Sequence, residues 1–394
     1  MQTDALSKPI YADAVPASVR AWVDVDLDAV RRNADKLRER ARVPIVAMVK
    51  ADGYGTGMLA VARALGAQFA DEPEQADAAW GFGVATLDEA YDLREADCSS
   101  RVLCTSPLSI SDLSYAREED VRPALHRAED ILAWGAIGGG AWHLAIDTGM
   151  SRAGVRWDEV ATLKRALREH PPEGVFTHFH SAEVDNGSRE QQESRFKEAL
   201  ATLRDALPPS VLVHSDNTAG IAARSEGSPG HLARPGIGLY GASMTDAFGL
   251  EQTVHMRARI IDVRDVHEGE SVSYGATWSA TGTRRIATVA AGYADGYRRT
   301  LSNCGIALVR GQRVPVAGTV TMDMTMLDVT NVEGCAVGTV VTLIGRDGTE
   351  CVSTDEVAAL AGLSPYEVLV GLRLRLSRSY RHAGGNFFDD RMFG

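Results

Sequence analysis

No run of about 18 apolar residues occurs anywhere in the chain, so no segment reads as a membrane-spanning helix and a soluble protein with no membrane partner is expected. Cysteine is scarce. The five present, Cys98, Cys104, Cys304, Cys335 and Cys351, are odd in number, scattered and without a C-x-x-C pair. This argues against a disulfide framework and against a thiolate zinc site, and leaves core thiols. Positive charge is short as well: 41 Lys and Arg stand against 53 Asp and Glu, a net −12 with no local basic cluster. Such a chain repels a phosphate backbone, so nucleic acid is not an expected partner. The opening "MQTDALSKPIYADAVPASV" has no basic segment followed by an apolar stretch, hence neither secretory signal nor transit peptide, and a cytoplasmic location is expected.

What is present is globular: 45% hydrophobic and 24% charged residues over 394 positions, room for two domains. Up to about residue 240 strand-like apolar runs alternate with longer helix-like segments. Eight strand candidates stand out: "PIVAMV" (44–49), "WGFGVA" (80–85), "RVLCT" (101–105), "VRPAL" (121–125), "WHLAID" (142–147), "GVFTHF" (174–179), "VLVHS" (211–215) and "ARPGIGLYG" (233–241). Between them lie amphipathic patterns such as "SRFKEALATLRDAL", with Phe196, Leu200, Leu203 and Leu207 at helical spacing. Eight βα units in this length match an α/β TIM barrel, and the rival doubly wound sheet lacks its G-x-G-x-x-G fingerprint in the first turn. From about residue 251 the texture becomes β-branched and alternating, as in "VHMRARIIDVRDV" and "GTVVTLIG", with one short helix near "STDEVAALAG". The expected organisation is a barrel domain over 1–250, with 1–20 an N-terminal extension, and a mostly β domain over 251–394.

The unusual residues fall where a barrel keeps its chemistry, at the C-terminal ends of the strands. Lys50 follows the apolar run "PIVAMV" and opens the glycine-studded turn "KADGYGTG". A lysine there either snorkels to water or is held partly desolvated, so that its neutral amine can attack a carbonyl. After the seventh strand Asn217 and Thr218 open a helix, and the eighth run brings the backbone of Gly236 and Ile237. This is the region where barrels bind phosphate, although capping and turn formation use the same residues. A lysine opposite a phosphate site suggests pyridoxal 5'-phosphate, whose aldehyde needs the amine and whose phosphate needs the anchor.

With "VKADGYGTG", "DTGMSRAG", "THF", "RPGIGLYG", "VSYGATW", "GYADGY", "VTMDMTMLDV" and "SPYE" in this order from residue 49 to residue 367, the sequence resembles the alanine racemase family of fold-type III pyridoxal-phosphate enzymes. The resemblance implies that Lys50 is the Schiff-base lysine and Tyr54 a phosphate contact. His178 would pack against the cofactor ring, and Asn217, Thr218, Gly236, Ile237 and Tyr366 would hold its phosphate. Arg234 would stand beside the pyridine nitrogen, where a guanidinium keeps its own proton and so restrains side reactions. Tyr274, supplied by the second subunit of a homodimer, would be the second acid/base. Racemisation needs two groups on opposite faces, because a base that returns its proton to the face it left regenerates the starting enantiomer. Arg152 and the backbone N–H of Met322 would hold the substrate carboxylate, and Tyr293 would line the entrance. No metal is implied.

The chain departs from the family pattern in places. His180 stands where a small residue is usual, Glu183 where aspartate is usual and Met324 where glutamine is common, which leaves a broader amino-acid racemase open. Ala145 stands where members commonly carry a carbamylated lysine that orients the arginine matching Arg152. If Arg152 is partly buried, a chloride or a carboxylate from another loop is expected beside it. A different chemistry is also conceivable from spacing alone: His178, His180, His214 and Asp216 could meet at a barrel mouth as the metal site of a hydrolase.

Overall fold

Seven short parallel strands pair edge to edge in chain order: Val46–Met48, Gly81–Val84, Val102–Cys104, Val121–Leu125, His143–Asp147, Gly174–Phe176 and Leu212–His214. This computed structural model describes residues 15–69, 78–242, 248–383 and 385–389, so the expected N-terminal extension is described only from residue 15. The strand residues are almost wholly buried, as expected for parallel strands covered on both faces, and that is why they read as continuous apolar runs.

The eighth run, 233–241, closes the barrel without forming a strand. Leu232 bridges to His214 and Ala233 to Ile45, both parallel, while Ala233 and Pro235 accept from Val46 N and Met48 N at 2.8 and 3.0 Å. Pro235 has no N–H to continue the ladder, and the chain turns into a short 3-10 helix at Ile237–Tyr240. The barrel is therefore complete, and its last segment is free to present backbone to the mouth. The helix expected near residues 194–207 runs over Ser188–Leu203 and buries Gln192, Phe196, Ala199 and Leu203 on one face.

The second sheet has the order Gln312–Pro315, Ile306–Val309, Val340–Asp347, Val254–Val266, Ala21–Asp26, Ser377–His382, Gly385–Asp389, with Arg284–Val289 and Thr325–Asp328 paired beside it. Ala21–Asp26 runs antiparallel to Val254–Val266 and parallel to Ser377–His382. The second sheet thus takes in residues that precede the first barrel strand. In "AWVDVD" alternating aspartates suggest a wetted face, yet all six residues are buried. Asp24 accepts from Arg257 Nε at 2.7 Å and from Trp22 Nε1 at 2.9 Å, and Arg257 also donates to Thr342 Oγ1 at 2.5 Å and Arg346 O at 3.1 Å. A buried charge survives only when it is paired and hydrogen-bonded in this way.

Two helices of this domain, Thr354–Ala361 and Pro365–Val370, are each capped by a serine, Ser353 and Ser364. The second packs on the turn that follows Lys50, joining the two bodies at the barrel mouth.

Asp24→Ala leaves the Arg257 guanidinium buried without its carboxylate. The expected loss is about 3–5 kcal/mol of unfolding free energy in chemical denaturation. A loss of less than about 1 kcal/mol would show that the pair does not secure the sheet.

Candidate active site

Lys50 sits at the end of the first barrel strand, half-buried, and the backbone after it takes an uncommon path. Ala51, Asp52, Gly53 and Tyr54 all lie in the left-handed region, with φ of 54°, 51°, 60° and 56°. For residues other than glycine this costs about 1–2 kcal/mol each, so neighbouring contacts must hold it. Glu89 is the main clamp: one carboxylate oxygen accepts from Ala51 N and the other from Ala85 N, each at 2.7 Å. Asp52 Oδ1 accepts from Met58 N at 2.8 Å, and Arg378 Nη2 donates to Gly55 O at 2.8 Å. Two glycines are required by packing as well as by φ. A Cβ on Gly55 would stand 2.6 Å from Leu369 O, and one on Gly57 (φ +100°) would collide with the Tyr380 hydroxyl.

The left-handed turn carries Tyr54 into the barrel mouth. Its ring stacks on Tyr240, with centroids 4.6 Å apart, and lies 6.1 Å from that of Tyr366. A Cβ on Gly236 would collide with the Tyr54 hydroxyl, so glycine there makes the space that this tyrosine uses. Asn217 caps the helix Thr218–Ala222, accepting from Gly220 N at 2.9 Å. Thr218 Oγ1 accepts from Gly236 N and Gly238 N at 3.1 and 3.3 Å, tying the seventh and eighth loops together.

Lys50, Tyr54, His178, Asn217, Thr218 and Arg234 line one cavity of about 530 Å³. Gly236, Ile237, Tyr366 and Arg152 line it too. Nearly all the residues singled out in the barrel sequence therefore converge, together with Tyr366 from the second domain.

Charge in this cavity is predominantly positive. Arg234 is only 4% exposed; it donates to His214 Nδ1 at 2.7 Å, Thr177 O at 2.7 Å and Ser215 O at 3.2 Å, and its guanidinium lies 5.0 Å over the Phe176 ring. Burial brings it down to about 10, with Asp216 opposing. Burial also lowers the Lys50 amine, and the Arg152 and Arg234 guanidiniums lower it further against a pull from Glu89. His178 falls to about 3 through burial and the nearness of Arg234, Arg152 and Lys50, so its imidazole is neutral at pH 7. A neutral amine is the reactive form of a lysine, and this arrangement favours it.

Three expected site residues are absent from this cavity. Tyr274, Tyr293 and Met322 are 73%, 37% and 53% exposed and cluster on one loop surface of the β domain. Thr319 Oγ1 donates to Tyr274 O at 2.8 Å, Tyr293 N to Thr321 O at 3.0 Å and Ala294 N to Met322 O at 2.9 Å. The backbone around Tyr274 is left-handed at Ser273 (φ 68°), Gly275 (φ 75°) and Ala276 (φ 47°). Arg152 is exposed in the single chain, so the burial on which a replacement anion beside it was expected is not met, and no acidic side chain bonds to it among the described residues. Its loop is folded by Asp147, whose Oδ1 accepts from Gly149 N and Ser151 N at 2.9 and 3.1 Å.

The four residues of the conceivable metal site do not converge. His214 bonds Arg234, Asp216 takes Arg224 Nε at 2.6 Å and His180 bonds Ser181 Oγ at 2.8 Å. Among the described residues no group of three or more His, Cys, Asp or Glu could hold a metal ion. The sequence reading missed Glu89, whose capping-box pattern "TLDE" signals a helix start and not a clamp on the neighbouring loop. The two histidines behind Arg234, His214 and His143, were likewise not legible as part of its surroundings.

A TIM-barrel enzyme with its pocket at the strand ends and a β domain docked on the mouth is the class that fold and cavity define. Family models described as the alanine racemase N-terminal and C-terminal domains match residues 25–244 and 253–380. The chain is 35% identical over 389 residues to the alanine racemase of Syntrophobacter fumaroxidans, covering 93% of this chain and 99% of that protein. It is 38% identical over 379 residues to that of Geobacter sp. strain M21, covering 90% and 97%. Among solved structures it is similar to alanine racemase from Bacillus anthracis with bound L-Ala-P (TM-score 0.83, 33% identity, covering 94% of this chain and 97% of that one). A second is the enzyme from Bartonella henselae with covalently bound pyridoxal phosphate (TM-score 0.82, 25% identity, covering 92% and 100%). The chain belongs to the alanine racemase family.

Gly57→Ala should destabilise the protein by about 2–4 kcal/mol, since it adds both a disfavoured φ and a clash with Tyr380. Adding Tyr380→Phe should return part of that loss in thermal unfolding. Equal stability of Gly57→Ala and wild type would mean that the Lys50 turn is not held as described.

Proposed function

We propose that this protein interconverts L- and D-alanine with pyridoxal 5'-phosphate, using Lys50 on one face of the substrate and Tyr274 of a second copy on the other. The observation that carries this reading is the placement of a desolvated lysine amine among guanidiniums in a cavity that also offers hydroxyls and a glycine-lined backbone. Those residues fit the cofactor. Thr218, Tyr54, Tyr366 and the backbone of Gly236 and Ile237 would hold a phosphate, Lys50 its carbonyl carbon and Arg234 its ring nitrogen. Bound there, pyridoxal phosphate supplies a carbonyl for amines and an electron sink that acidifies the substrate α-proton.

The chain's own residues do the rest. Lys50, biased toward its neutral amine, can take and return a proton at the α-carbon from its side. Arg234 is held by three hydrogen bonds and retains its own proton, which restrains charge build-up on the ring. His178 stays neutral and offers a flat packing surface. Arg152 attracts the substrate carboxylate, and Met322 N–H and Tyr274 belong to the β-domain loops that a partner would bring over the mouth. The exposed cluster of Tyr274, Tyr293, Met322 and Met324 supports a homodimer with shared sites. Among the described residues no helix is long and apolar enough to cross a membrane, and we assign the enzyme to the cytoplasm. Alanine is favoured over a broader amino-acid range, because His180, Glu183 and Met324 do not line the Lys50 cavity, and the one departure from the family that does, Ala145, is a small apolar residue.

Lys50→Ala should abolish racemisation and the visible absorbance of bound cofactor together, and Tyr274→Phe should cripple racemisation with cofactor still bound. An equal mixture of the two inactive chains should regain about a quarter of wild-type activity, because random pairing makes half the dimers mixed and each has one intact site. Chiral chromatography of L-alanine reactions reads this directly. No recovery after verified subunit exchange would sink the shared site.

A further inference from the structure

Behind Arg234 the barrel interior contains a buried polar chain. Arg234 Nη1 lies 2.7 Å from His214 Nδ1, and His214 Nε2 lies 2.7 Å from His143 Nδ1. His143 Nε2 lies 3.1 Å from Glu173 Oε2, and the same oxygen takes Arg122 Nε at 2.8 Å. Both imidazoles are fully buried. The barrel is shaped for them: a Cβ on Gly174 would stand 2.5 Å from His143 Nδ1, so glycine at this strand position makes room for the ring. Phe176 stacks on His214 with centroids 5.2 Å apart.

The direction of every bond follows from the ends. A guanidinium only donates, so His214 Nδ1 must accept, which puts its proton on Nε2. That proton must be donated to His143 Nδ1, which puts the proton of His143 on Nε2, facing Glu173. A carboxylate only accepts, and the chain closes without conflict. Remove the carboxylate and His143 Nε2 loses its acceptor, while the guanidinium that shared it, Arg122, remains at that end as a second donor; its Nη1 is already buried without a partner among the described residues. Two neutral imidazoles between two donors cannot satisfy both, because each ring offers one donor and one acceptor. One junction then has to break. Burial lowers both histidines and so keeps them neutral, whereas Glu173 is held at about 2, because hydrogen bonds from His143 and Arg122 outweigh its burial.

We propose that His143 and Glu173 are positioning residues: the Glu173 carboxylate accepts the last proton of a chain whose first donor is Arg234, so that with both ends satisfied His214 and His143 are locked as Nε2–H tautomers and the Arg234 guanidinium stays aimed into the cavity. The part played by Arg234 in catalysis rests on the function proposed above, but the tautomers do not.

The test is ring-¹⁵N histidine NMR of the full-length cofactor-loaded enzyme at pH 7, paired with turnover. Wild type is expected to show His143 and His214 neutral and protonated on Nε2. Glu173→Leu is expected to lose the single tautomer and to lower kcat about tenfold or more, with KM less affected. Glu173→Gln should restore both, since the two donors converge on one oxygen, Oε2, which an amide oxygen can replace. A wild-type ring protonated on Nδ1, or doubly protonated, overturns the proposal even if Glu173→Leu fails to fold. So does a Glu173→Leu enzyme with wild-type tautomers and kcat. Correct tautomers in a wild-type protein that racemises nothing would contradict the proposed function and leave the directed chain standing.

Discussion

The structure depends most on the demand that cations at the barrel mouth make for an anion. Arg234 is buried, Lys50 is partly so and Arg152 lines the same cavity, while the one acidic residue on its wall among the described residues, Asp147, is spent on loop amides. Like charges brought together in a desolvated site destabilise one another, and the site answers in three ways. Lys50 moves toward its neutral form. His178 gives up its proton. The cavity also offers hydroxyls and backbone in which the proposed phosphate would sit, and a dianionic ligand there would relieve the remaining repulsion. The electrostatics that set these cations against one another also bias the lysine toward its neutral amine, a link between folding and chemistry of the kind that perturbed groups in clefts commonly mark.

The rest of the architecture holds this arrangement in place. The left-handed turn at 51–54 stores strain beside Lys50, and it persists because Glu89 clamps it from the barrel and Arg378 with the helix Pro365–Val370 clamps it from the β domain. The two bodies are thus coupled at the residue that matters most. The β domain in turn carries Tyr274 on an exposed left-handed loop, outside the lining of its own chain's cavity. Under the proposed mechanism the second acid/base on the opposite face is Tyr274 of another copy, which would make oligomerisation a condition of the chemistry and not an addition to it.

Much of this was legible in the sequence. Seven barrel strands announce themselves as short apolar runs, and the position of Lys50 at the end of one follows from "PIVAMVK". The eighth run also reads as a strand, but Pro235 and Gly236 convert it into a closing segment and a 3-10 turn. Ala21–Asp26 was hidden because its aspartates imitate a wetted face; the burial of Asp24 is explained by Arg257, more than two hundred residues away, and that of Asp26 by the N–H of Ala29 and by Arg381. The glycines of "DGYGTG" hint at unusual backbone, yet nothing local says that Ala51, Asp52 and Tyr54 would share it. The chain from Glu173 to Arg234 was illegible for a similar reason: its members come from distant segments, and only the barrel register, which pairs His143 with Gly174 and Phe176 with His214, brings them together.

The most direct test of the central claim, that this cavity takes an aldehyde-bearing phosphate onto Lys50, is borohydride reduction of the cofactor-loaded chain followed by peptide mass mapping. The expected result is a single reduced pyridoxyl adduct on the peptide "VKADGYGTG", at Lys50. An adduct on Lys36, Lys164 or Lys197 in place of Lys50, or no adduct in a chain that racemises alanine, would contradict it.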